Sequence, residues 1–180
     1  MYSVNYTNSA KKDLMKLPKK TLVELVLAGG QNCWSIQNNW MEYMYSKYGN
    51  QAAGDADENV FYKFSRSLIY RERRILGIEG NDVDTLMQVF RYGSMLDGDG
   101  MSMTKVSDTK LVIQIDSCTM GTMRRKTGRP MLPCKPAGFN YFKAVAQMVN
   151  PKAKVTCIFC PPDEIPKNVM CKWEIKFPAS

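Results

Sequence analysis

Apolar and polar positions follow two different periods along this chain, and the change falls near its middle. From Leu22 the apolar residues Val26, Cys33, Ile36, Trp40, Met44 and Tyr48 recur at spacings of three, four and seven, which is one face of a helix. Pro18 and the set Thr21-x-x-Glu24 predict the helix start through a capping box. Gly29-Gly30 marks a bend or a close helix contact, and Gly49 the stop. Residues 51–57 read as a small polar turn. A second helix is predicted over 58–76, with Phe61, Phe64, Leu68 and Ile75 inward. Arg71, Arg73 and Arg74 end it, where cations suit the helix dipole. Asn81 or Asp82 caps a third helix through Val83, Leu86, Met87 and Phe90.

The second half alternates with period two. Met101 and Met103, then Leu111, Ile113 and Ile115, face one way across Ser107-Asp108-Thr109, which predicts a β-hairpin. A basic turn or short helix follows at 119–127, then a Gly/Pro-rich loop to Pro136 and a helix over 137–149 that Pro151 stops. Its inward set is Phe139, Phe142, Val145, Ala146 and Val149. Residues 154–160 form a strand. Cys171, Trp173, Ile175 and Phe177 alternate with Lys172, Glu174 and Lys176 in the clearest strand of the chain. Helices first and mostly antiparallel strands afterwards predict an α+β domain over 18–180, behind a flexible arm at 1–17.

Composition narrows the chemistry. A net charge of +8 is spread along the chain apart from Arg71–Arg74 and Arg124-Arg125-Lys126, which reads as a solvated surface and disfavours nucleic acid as a partner. No apolar run approaches the roughly 20 residues of a membrane span. The N-terminus carries no apolar signal core. A cytoplasmic location is therefore expected, where thiols stay reduced and clustered cysteines point to metal or catalysis rather than to disulfides. The chain has six cysteines and no histidine, so a soft-metal site must be rich in thiolates and no imidazole base is at hand.

Four of the six cysteines converge in this reading. Cys157-x-x-Cys160 has the paired-ligand spacing of structural zinc, and Cys171 lies opposite Cys160 if the last two strands form a hairpin. Cys134 stands just before the helix at 137. Zinc held by Cys134, Cys157, Cys160 and Cys171 is the preferred cofactor. A 4Fe–4S cluster is the alternative, since such clusters are also held by four thiolates. Cys118 follows the strand 111–116 and precedes the basic run, so it is the candidate nucleophile, weighed equally against a packed strand-end cysteine. Cys33 reads as a core residue of the first helix. Asp116 and Glu42 have no evident partner.

Asp116-Ser117-Cys118, Pro133-Cys134-Lys135-Pro136-x-Gly138, Cys157-x-x-Cys160-Pro161-Pro162 and Cys171-x-Trp173 resemble a family of prokaryotic proteins of unknown function, found largely in anaerobes. That family is similar to the L-2-amino-thiazoline-4-carboxylic acid hydrolases. The chain is more distantly similar to 4-vinyl reductase type small-molecule-binding domains, which occur in phenol-sensing transcription activators and share an α+β fold with vesicle-tethering subunits. Their zinc is held by a Cys before a helix, an acidic residue and two Cys on the final hairpin. This likeness implies the same four cysteines here, with Cys157 in place of the acidic ligand.

The resulting expectation is a metal-stapled domain that binds a small molecule between helices and sheet, with Cys118 at the rim. The alternatives are a hydrolase or thiol-dependent enzyme using Cys118, and an accessory subunit of an anaerobic metalloenzyme carrying an iron–sulfur cluster. A homo-oligomer or a larger complex is compatible with either.

Overall fold

The computed structural model describes residues 8–92 and 100–178. Three helices come first: α1 (Asn8–Leu14), α2 (Lys19–Leu76) and α3 (Val83–Tyr92). The hairpin β1 (Met101–Ser107) and β2 (Lys110–Ile115) follows, then α4 (Thr119–Lys126) and α5 (Cys134–Val149). The hairpin β3 (Lys154–Phe159) and β4 (Cys171–Lys176) ends the chain. The strands form one antiparallel sheet in the order β1-β2-β4-β3. The class is α+β, as the change of period predicts. The arm expected over 1–17 lies partly outside the described residues; Asn8–Leu14 is helical.

α2 differs from its prediction in instructive ways. It breaks at Gly49, whose φ of 87° suits a residue without Cβ, where the pattern predicts the first helix to stop. Residues 51–57 are helical rather than a turn, since Ala52, Ala53 and Ala56 are strong helix formers. The helix starts at Lys19, behind Pro18, with no side-chain cap, so the Thr21 box does not form. Pro18 presets the entry, and its carbonyl accepts from Leu22 N–H at 3.1 Å. Gly29-Gly30 leaves the helix unbroken.

Of the apolar stripe of residues 22–48, Met44 packs against the core while most of the rest faces outward. Asn38 and Met41 are buried with Trp34, Met44 and Tyr45 partly so, while Val26, Cys33, Ile36, Trp40 and Tyr48 are exposed. The helix carries two apolar faces, and periodicity alone does not say which one the domain takes. Further along, Leu68 and Ile69 are buried, whereas Ile75 and, less fully, Phe64 face solvent.

The core lies between one face of the sheet and the helices. Leu111 and Ile113 of β2 and Trp173 and Ile175 of β4 meet Phe142, Val145, Ala146 and Val149 of α5 and Val83, Leu86, Val89 and Phe90 of α3. Trp173 sits opposite Ile113 on one side and Cys157 on the other. On the outer sheet face Glu174 pairs with Lys110 and Lys176. Asp82 caps α3 by accepting from Thr85 N–H at 2.8 Å and Thr85 Oγ1 at 2.6 Å, which holds its carboxyl below the usual range. Arg73 closes the end of α2, donating to Ile78, Gly80 and Met148 carbonyls. Among the described residues no helix is long and apolar enough to cross a membrane.

Two glycines let elements approach closely. Gly54 of α2 lies under the ring of Pro133, where a Cβ has no room. On Gly138 of α5 a Cβ would stand 2.8 Å from Cζ2 of Trp173. In a free helix, Gly→Ala gains up to about 1 kcal/mol. Here overpacking against a buried indole costs about 1–3 kcal/mol. Gly138→Ala should therefore lower stability by about 1–2 kcal/mol, read as an earlier urea midpoint with unchanged slope. A Gly138→Ala protein as stable as the parent would show that the ring does not set the α5–β4 distance.

Candidate ligand cavity and cysteine cluster

Register and helix phase carry five cysteines to one end of the sheet. Cys134 is the first residue of α5, Cys157 lies in β3, Cys160 follows β3 and Cys171 opens β4. Phe159 pairs with Lys172, so Cys160 and Cys171 are the next residues across the hairpin. Lys135 N–H donates to Pro161 O at 2.9 Å, tying the start of α5 to the loop after Cys160. Asp163 accepts from Lys135 Nζ at 2.8 Å and from Cys160 N–H at 3.1 Å. The backbone thus holds Cys134 beside Cys160.

The sulfurs interact. Cys160 and Cys171 share a hydrogen bond between their sulfurs, which raises Cys160 and lowers Cys171. Trp173 Nε1 is buried without a partner of regular geometry and faces Cys171, adding to the lowering. Burial first, then Cys118, Asp57 and Cys171, push Cys134 up to about 12. Burial also raises Cys157 to about 11, against the pull of Lys135. Cys118 lines the same cavity as Cys134 and is within its electrostatic reach. It caps α4, with Sγ accepting from Gly121 N–H at 3.3 Å. In the basic run that follows, Arg124 is buried over the Tyr45 ring, donates to Pro130 O at 2.6 Å and pairs with Glu42. Arg125 reaches the Lys167 carbonyl. Glu42 and Asp116, expected to lack partners, have them: Arg124 and Arg129 hold Glu42, and Gln114 donates to Asp116. Cys33, expected in the core, is exposed on the outer face of α2.

Beside the cysteines runs a cavity of about 190 Å³. Cys118, Cys134, Cys160 and Cys171 line it together with Trp34 and Asp57 of α2, Met101 and Ile115 of the sheet, and Tyr141 and Trp173. Phe61, Phe90 and Phe142 complete an aromatic wall, in which Phe61 and Tyr141 meet edge to face at 5.8 Å. Two buried carboxyls enter this wall, Asp57 and Glu72. Burial raises the Asp57 carboxyl, partly offset by Gln37 Nε2 donating to it at 2.6 Å. Burial and then Glu72 raise the Tyr141 hydroxyl. Although the chain has 25 Lys and Arg, none lines the cavity among the described residues.

The carboxyls were not read from the sequence. Asp57, Phe61, Ser65, Leu68 and Glu72 follow one another at spacings of four, four, three and four, a single helix face. Treating 51–57 as a turn hid the first member.

The donor set suits a thiophilic metal in kind: four thiols from β3, the loop after it, the start of β4 and the start of α5, with no histidine to compete. Among the described residues no three Cys, Asp or Glu side chains are already arranged as a metal shell. Neighbourhood, rather than a finished coordination geometry, is what the fold supplies.

No curated protein matches this chain. Residues 14–177 match the Family of unknown function (DUF6125), a span that takes in α2 to β4 and every cysteine described above, and the chain belongs to that family.

Proposed function

We propose that this chain is a small-molecule-binding domain whose cavity is closed at one end by a four-cysteine metal site. The observation that carries the reading is that Cys134, Cys160 and Cys171 line the cavity together, with Cys157 within electrostatic reach of Cys160 and Cys171. Zinc bound by Cys134, Cys157, Cys160 and Cys171 would supply the positive charge that converts these crowded thiols to thiolates, and would pin β4 to the start of α5. A 4Fe–4S cluster on the same residues is the alternative cofactor and would colour the protein. The likeness to 4-vinyl reductase type domains favours Cys134, Cys160 and Cys171 as ligands, with Cys157 replacing the acidic ligand of those domains. The likeness to the thiazoline carboxylate hydrolases supports an enzyme, for which Cys118 is the candidate nucleophile because it lines the cavity.

The cavity also speaks for a class of ligand. Its wall is aromatic and aliphatic, with two carboxyls and no cation among the described residues. An anion buried there would lose its hydration with no lysine or arginine among the described lining residues to replace it, a cost of several kcal/mol. The fitting ligand has an apolar, ring-bearing body and is neutral or cationic, the latter favoured by ring faces and carboxyls together.

Metal analysis of anaerobically purified protein tests the cysteines. One metal per chain is expected, with metal content and thermal stability falling together in Cys157→Ser and Cys171→Ser, while Cys118→Ser retains both. Unchanged metal content in single Ser variants of all four proposed ligands would remove the site. The cavity is tested by titrating 2-phenylethanol, phenethylamine and 3-phenylpropionate against tryptophan fluorescence. The alcohol and the amine should bind at least tenfold more tightly than the acid; preferential binding of the acid would contradict the ligand class.

A further inference from the structure

The outer face of the first part of α2 is covered by no described element. Val26 is 66%, Ile36 61% and Trp40 64% exposed, with Val23, Leu25, Leu27 and Tyr43 each about half exposed. Solvated helices carry charge, yet between Thr21 and Ser46 the only charged residues are Glu24 and Glu42. Glu42 is already engaged by Arg124 and Arg129. Depletion of charge with exposed Trp and Tyr is the composition of a protein interface core.

The outward residues are Leu22, Val26, Gly29, Cys33, Ile36, Trp40 and Tyr43, at strictly alternating spacings of four and three. That is the seam of two packed helices. The inward residues Trp34, Asn38, Met41 and Tyr45 belong to the opposite side, so the domain does not obstruct the seam.

We propose that this face pairs antiparallel with the same face of a second copy of this chain. The seam is self-complementary in size. Centred between residues 34 and 35, an antiparallel pair sets Cys33 opposite Ile36, Gly29 opposite Trp40 and Val26 opposite Tyr43, each contact occurring twice. The largest side chain of the seam thus falls on the residue that has none. Around Gly29 a Cβ would meet nothing within 4 Å, so the space for the indole is open. Such a contact is isologous and closes as a two-fold dimer. Its exposed aromatic and aliphatic side chains offer roughly 600 Å² per copy, about 1,200 Å² in all, the lower bound for a stable specific interface.

Sedimentation velocity of the full chain at micromolar concentration should give twice the 20.5 kDa chain mass. Ile36→Glu and Trp40→Glu should each give monomers with unchanged circular dichroism, since both side chains lie outside the core. Ile36→Cys, oxidised with copper-phenanthroline, should yield a covalent dimer through Cys33 of the other copy, and this should vanish when Cys33→Ser is added. A parent protein that is monomeric throughout overturns the proposal. So does a dimer that survives both Glu substitutions, or an Ile36→Cys cross-link that does not need Cys33.

Discussion

The approach of α5 to β4 at Gly138 and Trp173 governs the rest of this structure. The indole is fully buried, packs against Phe142 with ring centroids 4.9 Å apart and planes tilted by 36°, and lies across a helix position that has no Cβ. Dispersion and area burial make a Trp the largest single contribution available to such a core. Its value here depends on the missing Cβ, because interiors are close-packed and do not absorb a methyl group at 2.8 Å. The same contact fixes both ends of the cysteine cluster. Cys134 lies one helical turn before Gly138, and Cys171 two residues before Trp173.

A second close approach works with the first. Pro133 rests on Gly54, which anchors the loop entering α5 against α2. Between the two contacts the helices stand off the sheet far enough to leave the cavity, and the aromatic side chains of α2, α3 and α5 line it without filling it. The buried carboxyls Asp57 and Glu72 are therefore placed by the same packing that places the thiols. Cavity and cysteines are two consequences of one arrangement of α2, α5 and β4.

Much of this arrangement is legible in the sequence, because its period-two and period-3.6 patterns are strong where an element has one buried face. β4, the 101–115 hairpin and α3 are of this kind. Cys160 and Cys171 could be brought together by reasoning that a hairpin joins their strands, and Cys134 by its place before a helix. The first part of α2 is different. It has apolar residues on two faces, so the period identifies a helix but not the face turned inward, and Cys33 lies on the outer one. Asp57 was lost because Gly54 and the acidic residues around it suggest a turn, whereas three alanines and the Pro133 contact favour helix. The partners of Glu42 and Arg124 are distant in sequence, and no local pattern encodes them.

The central claim is that Cys134, Cys157, Cys160 and Cys171 hold one metal that staples β4 to α5. X-ray absorption spectroscopy on the anaerobically purified protein tests it most directly. For zinc, the account predicts four sulfur neighbours at about 2.3 Å and no lighter atom in the shell. A shell of nitrogen and oxygen atoms, or a protein that retains no zinc or iron, would contradict it.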